Sequence, residues 1–241
     1  MDYGQSKLPS YLNYLCIEGV IGAGKTSLCK SLSEIFDARQ VLEEVDENPF
    51  LSGFYKDRNS FAFQTQLWFL LSRYKQLSVM VAQQDLFHKI TMSDYLFAKD
   101  RIFANINLKD DELSLYNNIA RVLETSIPKP DLVVYLQAST DVLLKRIEKR
   151  GRKFEFNMDP EYIDTLNEAY NHYFFHYTSS PLLIINTNDI DFVNEIGDLQ
   201  ELIDQIVSVK SGSHYYHPLG SKDRLFIEER QAAAKNNLFV N

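Results

Sequence analysis

Gly19-Val20-Ile21-Gly22-Ala23-Gly24-Lys25-Thr26, followed by Ser27, is a glycine-rich run closed by a lysine and two hydroxyls. It constrains the fold because it works only between a strand and a helix. Leu12 to Glu18 carries apolar Tyr14, Leu15, Cys16 and Ile17 and reads as a buried strand; Thr26 to Phe36 repeats Leu28, Leu32, Ile35 and Phe36 at helical spacing. The glycines let backbone N–H groups approach phosphate oxygens without Cβ clashes. The helix N-terminus adds partial positive charge, Lys25 can reach the β- and γ-phosphates, and the Thr26 hydroxyl can ligate Mg²⁺. With Gly at ~7% of residues, such a run arises by accident in roughly one chain in a hundred of this length. Strand and helix context make it a phosphate-binding loop and imply a nucleoside triphosphate.

Further apolar runs read as strands at Arg39–Val45, Lys89–Ser93, Leu132–Leu136 and Leu182–Ile185, with the first at Tyr11–Glu18. Helical periodicity fills the intervals: Thr26–Phe36, Ser60–Gln84, Tyr95–Ile106, Glu112–Thr125, Thr140–Lys149, Pro160–Tyr177 and Phe192–Val209. Alternating strands and helices predict an α/β fold with a five-stranded parallel sheet and helices on both faces. The 241 residues, 45% of them hydrophobic, suffice for one such domain, assigned to residues 1–209. Residues 210–241 form a C-terminal extension, with Lys210 to Lys222 a loop and Asp223 to Ala234 a short amphipathic helix.

The sequence carries no apolar signal segment and no run of membrane-spanning length. Cys16 and Cys29 read as small buried hydrophobes, so a reducing cytoplasmic setting is expected. The net charge of −8 argues against nucleic acid as the main partner. Cations are instead gathered at Lys145, Arg146, Lys149, Arg150, Arg152 and Lys153. Arg146 and Arg150 share one helix face, and Gly151 can end the helix and hinge a flap. Such arginines can close over a transferring phosphoryl group as a lid; the alternative is a helix C-terminus decorated with cations.

Three further places can carry chemistry. Glu43 and Glu44 follow the second strand, where strand ends point into the ligand crevice, and a carboxylate there can take a proton from a substrate hydroxyl. An exposed acidic turn is the equal alternative. Asp94 follows the third strand, placed to hold Mg²⁺ or to cap a helix. Gln66 is a bidentate amide among the aromatics of the long helix, Phe61, Phe63, Trp68, Phe69 and Tyr74, and such an amide can read the edge of a base.

Together these residues resemble a known family, the deoxyribonucleoside kinases, in particular the bacterial deoxyadenosine and deoxyguanosine kinases. The likeness spans Leu15 to Phe192 and joins separated motifs: the phosphate loop, Leu42 to Leu51, Phe63-Gln64-Thr65-Gln66 with Arg73 to Leu77, and Arg146 through Arg152 with Glu155. It implies a P-loop kinase fold with an arginine-rich lid, ATP as phosphate donor, Mg²⁺ held by Thr26 and Asp94, and a deoxynucleoside acceptor bound by a homodimer. Glu43 then matches the base that activates the sugar 5′-hydroxyl, with Lys25, Arg146, Arg150 and Arg152 as its catalytic companions. Gln66 matches the base-pairing amide, Phe63 a stacking platform, Arg73 and Asp100 polar groups at the base edge, and Tyr55 with Glu155 the pair that holds the 3′-hydroxyl. One departure stands out: many members have Asp-Arg-Ser or Glu-Arg-Ser where this chain has Asp94-Tyr95-Leu96. Arg101 or a lid arginine is the expected substitute cation.

The resemblance implies phosphorylation of a purine 2′-deoxynucleoside, deoxyadenosine ahead of deoxyguanosine, because an amide carries both the donor and the acceptor that adenine needs. The alternatives are a thymidylate-type nucleoside monophosphate kinase and a non-catalytic nucleotide-binding member.

Overall fold

Tyr14–Gly19 (β1) is buried along its whole length, and its apolar run places it at the centre of a parallel sheet. The computed structural model describes residues 8–82, 87–155 and 158–220. The sheet also contains β2 (Arg39–Val41), β3 (Thr91–Ser93), β4 (Leu132–Gln137), β5 (Leu182–Asn186) and β6 (Ser213–Tyr216), in the order β2-β3-β1-β4-β5-β6. Every neighbouring pair is parallel. All carboxyl ends therefore open on one edge, where α/β sheets bind ligands.

Helices connect and cover the strands: α1 (Lys25–Phe36), α2 (Leu51–Lys56), α3 (Arg58–Ala82), α4 (Asp100–Asn107), α5 (Asp110–Glu124), α6 (Thr140–Arg150), α7 (Pro160–Phe175) and α8 (Ile196–Ser208). The main core gathers β1, β4 and β5 with α1, α6, α7 and α8 through Leu15, Ile17, Leu28, Leu136, Leu166 and Leu202. A second cluster, with Leu70, Leu77, Tyr95, Tyr116 and Ala120, seats α3 and α5 beside β3. α3 thus presents one stripe to this cluster (Phe63, Leu67, Leu70, Tyr74, Leu77). The neighbouring stripe, Gln66, Phe69 and Arg73, faces a cavity.

Three expectations from the sequence are corrected. The sheet has six strands, not five, because Ser213–Tyr216, read as loop, pairs with β5. It lacks apolar alternation because it is an exposed edge strand, held by Tyr215 donating to Gln137 and Tyr216 to Glu201. The helix expected over Tyr95–Ile106 begins late. Leu96 is extended, Phe97–Lys99 forms one tight 3₁₀ turn, and α4 starts only at Asp100. β2 also ends at Val41, which releases Glu43 and Glu44 from the sheet. The helix read at Asp223–Ala234 lies outside the described residues.

Candidate active site

The phosphate loop leaves β1 and turns into α1 through two left-handed glycines, Gly22 at φ +88° and Gly24 at φ +96°. A Cβ on Gly22 would lie 2.7 Å from the Leu143 carbonyl oxygen, and one on Gly24 would lie 2.7 Å from the Phe192 ring. Backbone sign and space both demand glycine. Gly19, Val20 and Ala23 lie beneath the loop, buried or nearly so. The Lys25 ammonium donates to the Gly19 carbonyl at 2.8 Å and the Val20 carbonyl at 3.1 Å, folded over the loop. Desolvation, then Lys99, lower its pKa to about 8 against the pull of Glu18, Glu43 and Asp94. Thr26 donates to Asp94 Oδ2 at 2.5 Å, and Asp94 Oδ1 accepts the Glu43 backbone N–H at 2.7 Å.

Two cavities open from this loop. One, of about 530 Å³, is lined by Gly22, Gly24, Lys25, Thr26 and Ser27 below and by Arg146, Lys149, Arg150, Arg152 and residues 190–194 around its sides. The other, of about 250 Å³, is lined by Ile21, Glu43, Tyr55, Gln66, Phe69, Arg73, Lys99, Phe103, Glu155 and Tyr170, among others. Lys25, Thr26, Arg150 and Arg152 line both.

Charge is closely matched in the smaller cavity. Arg73 donates through Nε to Glu43 Oε1 at 2.8 Å and through its terminal nitrogens to Glu43 and Asp100. Lys99 donates to Glu43 Oε2 at 3.0 Å. Burial pushes the Glu43 carboxyl up, but Arg73, Lys99 and Lys25 outweigh it and hold the group well below the usual carboxylate range. Gln66 donates one N–H to the Asp100 backbone carbonyl at 3.3 Å. That leaves one N–H and the amide oxygen toward the cavity. Tyr55, buried deeply enough to raise its phenol, stacks on Phe154 at 5.9 Å beside Glu155.

The arginines read from the sequence as a lid lie on and just past the end of α6. Gly151, at φ +68°, caps that helix. Arg146 is held against the loop after β5, donating to Thr187 Oγ1 at 3.0 Å and the Thr187 carbonyl at 2.6 Å. Arg150 donates to Glu155 Oε2 through Nε at 3.2 Å, and Arg152 lies 3.8 Å from Glu155 Oε1 and 3.6 Å from Asp46. The cluster is therefore more than a solvated helix end.

Three residues singled out in the sequence do not line the cavity. Phe63 does not line the cavity. It lies about a quarter-turn around α3 from Gln66 and Arg73, on the stripe that packs into the second cluster. Phe69, Phe103 and Tyr170 supply the aromatic walls instead. Asp100 is fully buried behind Arg73, with Oδ1 accepting from Arg73 and Oδ2 from Tyr116 at 2.9 Å, so it holds the guanidinium and does not line the cavity. Arg101 pairs with Glu124 at the surface and does not line the cavity. Lys99 escaped the sequence reading because a lone lysine before a helix carries no pattern.

The family model described as "Deoxynucleoside kinase" matches residues 15–210. Among similar proteins, a deoxyguanosine kinase of Bacillus subtilis (strain 168) is 39% identical over 160 residues, covering 65% of this chain and 76% of the relative. A deoxyadenosine kinase of Lactobacillus acidophilus is 32% identical over 209 residues, covering 81% of this chain and 95% of the relative. The solved deoxyadenosine kinase from M. mycoides with bound dATP is similar in structure, with a TM-score of 0.69 and 25% identity over 81% of this chain and all (100%) of the other.

Proposed function

The chain belongs to the deoxynucleoside kinase family, and we propose that it transfers the γ-phosphoryl group of ATP to the 5′-hydroxyl of a purine 2′-deoxynucleoside. One observation carries this reading: a nucleotide-sized cavity over the phosphate loop and a smaller one beside Glu43 meet at the same four side chains, Lys25, Thr26, Arg150 and Arg152. A phosphoryl group held at that junction touches both compartments, which is what direct in-line transfer needs.

The donor phosphates rest on the loop N–H groups and the α1 N-terminus, with Lys25 swinging from its carbonyl partners to the β- and γ-oxygens. Thr26 and Asp94 offer two adjacent oxygens, the small protein share that Mg²⁺ takes when phosphates and waters complete its shell. When bound, the ion supplies neutralisation of phosphate charge. Glu43, kept ionised by its cations, accepts the 5′-hydroxyl proton as the oxygen attacks. Arg150 and Arg152 leave Glu155 to meet the charge that develops on the transferring group, and Glu155 is then released to join Tyr55 at the 3′-hydroxyl.

A neutral acceptor suits the small cavity better than a nucleoside monophosphate, because Arg73 and Lys99 are already matched by Glu43 and Asp100. Deoxyadenosine is favoured over deoxyguanosine, since Gln66 keeps one donor and one acceptor free while both Asp100 oxygens are engaged. Exposed apolar residues on α3 and α5, Leu71, Val79, Leu115 and Val122, support a homodimer, which light scattering of the purified chain checks. The function is tested with ATP, Mg²⁺ and each of the four deoxynucleosides, reading kcat/KM. Purine values well above pyrimidine values are expected, and phosphorylation of a monophosphate instead would overturn the reading.

A further inference from the structure

Lys99 ends the 3₁₀ turn that precedes α4, and its side chain is 3% exposed. A lysine carries its charge into such a place only where carboxylates offset the loss of water. Its ammonium makes one hydrogen bond among the described residues, to Glu43 Oε2 at 3.0 Å; Glu18 Oε1, at 4.0 Å, adds charge but lies beyond hydrogen-bond reach. An ammonium has three N–H groups, so two remain beside a cavity that Lys99 itself lines.

The other cations near Glu43 are committed. Arg73 is clamped between Glu43 and Asp100. Lys25 belongs to the phosphate loop. Tyr95, which follows the strand-end Asp94, donates its hydroxyl to Gln76 Oε1 at 2.8 Å. Arg101 is paired with Glu124. Burial lowers the Lys99 ammonium, but Glu18 and Glu43 outweigh it and raise it above the ordinary lysine value. It stays charged on a flexible stem, able to share its donors without leaving Glu43.

We propose that Lys99 is the cation that binds the acceptor 5′-oxygen, working from its contact with Glu43. The proposal rests on the kinase reading above, with Glu43 as proton acceptor. In the step it serves, the 5′-O–H bond breaks and its proton passes to Glu43. The O5′–Pγ bond forms while the bond from Pγ to the bridging oxygen of ATP breaks, and that electron pair leaves on ADP. One Lys99 N–H points at the 5′-oxygen throughout and favours its developing negative charge, while another keeps Glu43 Oε2 in line to receive the proton.

The test compares wild type with Lys99→Met, Lys99→Gln and Lys99→Arg, measuring kcat, the KM of the deoxynucleoside, and ATP binding by calorimetry. Lys99→Met is expected to lose roughly 10²–10³ in kcat, the value of one oxyanion donor, with nucleoside KM changed less than about threefold. Lys99→Arg should recover at least about tenfold of that loss, and ATP binding should persist in all variants. A Met variant within about threefold of wild-type kcat overturns the proposal. So does an equal loss in kcat and nucleoside affinity that arginine does not rescue, the mark of a counter-charge for Glu18 alone. If neither Met nor Gln binds ATP, Lys99 is structural and the proposal also falls. Wild type that binds ATP but phosphorylates no deoxynucleoside would instead sink the kinase reading, whatever Lys99 does.

Discussion

The Asp94 carboxylate accepts the Thr26 hydroxyl at 2.5 Å while its other oxygen accepts the Glu43 backbone N–H at 2.7 Å. One buried side chain therefore joins the phosphate loop to the segment that carries the proposed base, and sets the distance between donor and acceptor chemistry. Asp94→Asn keeps the shape but removes the anion and one acceptor. Its Mg²⁺ requirement should rise roughly tenfold to a hundredfold, as when a metal's supporting carboxylate is lost. Activity titrated against Mg²⁺ measures this, and an unchanged midpoint would show that Asp94 is only a structural brace.

Glu43 and Glu44 are adjacent in the chain but face different surroundings. Glu43 lines the acceptor cavity between Arg73 and Lys99, whereas Glu44 accepts from the Ser72 hydroxyl at 2.9 Å and does not line it. Glu43→Gln should lower kcat roughly 10²–10⁴ and leave ATP binding intact. Glu44→Gln should stay within a few-fold of wild type. The reverse order would put the base one residue later.

Arg150 reaches both cavities and is tied to Glu155. On the proposed reading its work falls in the transition state, when charge builds at the junction. Arg150→Ala should therefore cut kcat far more than it raises the KM for ATP. Equal changes in the two constants would assign it to ground-state binding.

Cys29 lies buried on α1, and desolvation, with Asp94 adding to it, pushes its thiol up to about 12; Cys16, in β1, is raised well above its ordinary value too. A thiol whose folded pKa is raised holds its proton longer in the native state, so stability should be lost as pH rises from about 9 toward 12. At pH 8 neither thiol should react with Ellman's reagent until denaturant is added. Rapid labelling of the native protein would contradict the burial of both.

The sequence made the centre of the fold legible and blurred its margins. β1, β4 and β5 are continuous apolar runs because both faces are covered, and they stand within a residue or three of where periodicity put them. β6 escaped because an edge strand needs no apolar alternation. In the site, motif-borne residues (Lys25, Thr26, Glu43, Gln66, Arg73, Arg150) converge on the two cavities. Which aromatic of α3 turns to the cavity was harder to read. Phe63 and Phe69 are both phenylalanines on one helix, and only the packing of α3 decides which one faces the cavity. Lys99 and Asp100 are adjacent, yet the 3₁₀ turn directs the lysine into the cavity and the aspartate behind Arg73.

On the proposed reading, base choice turns on Gln66. Its amide gives one N–H to the Asp100 carbonyl and keeps one donor and one acceptor for a ligand, 3% exposed in a cavity walled by Phe69 and Phe103. Adenine meets that pair with its amino group on the amide oxygen and a ring nitrogen on the amide N–H. Guanine can set its carbonyl and ring N–H against the same pair, but its amino group then needs a further acceptor, and Asp100 already receives Arg73 and Tyr116. An unpaired buried polar group costs about 1–3 kcal/mol, so deoxyadenosine should lead in kcat/KM by roughly tenfold to a hundredfold. In Gln66→Glu the carboxylate can accept both guanine donors but loses its own donor to the Asp100 carbonyl. Total activity should fall while the ratio moves toward deoxyguanosine. The two kcat/KM values in wild type and mutant decide the matter. A wild type that prefers deoxyguanosine, or a ratio that ignores the substitution, would remove Gln66 from base reading and direct attention to Arg73, the other polar group of α3 in the same wall.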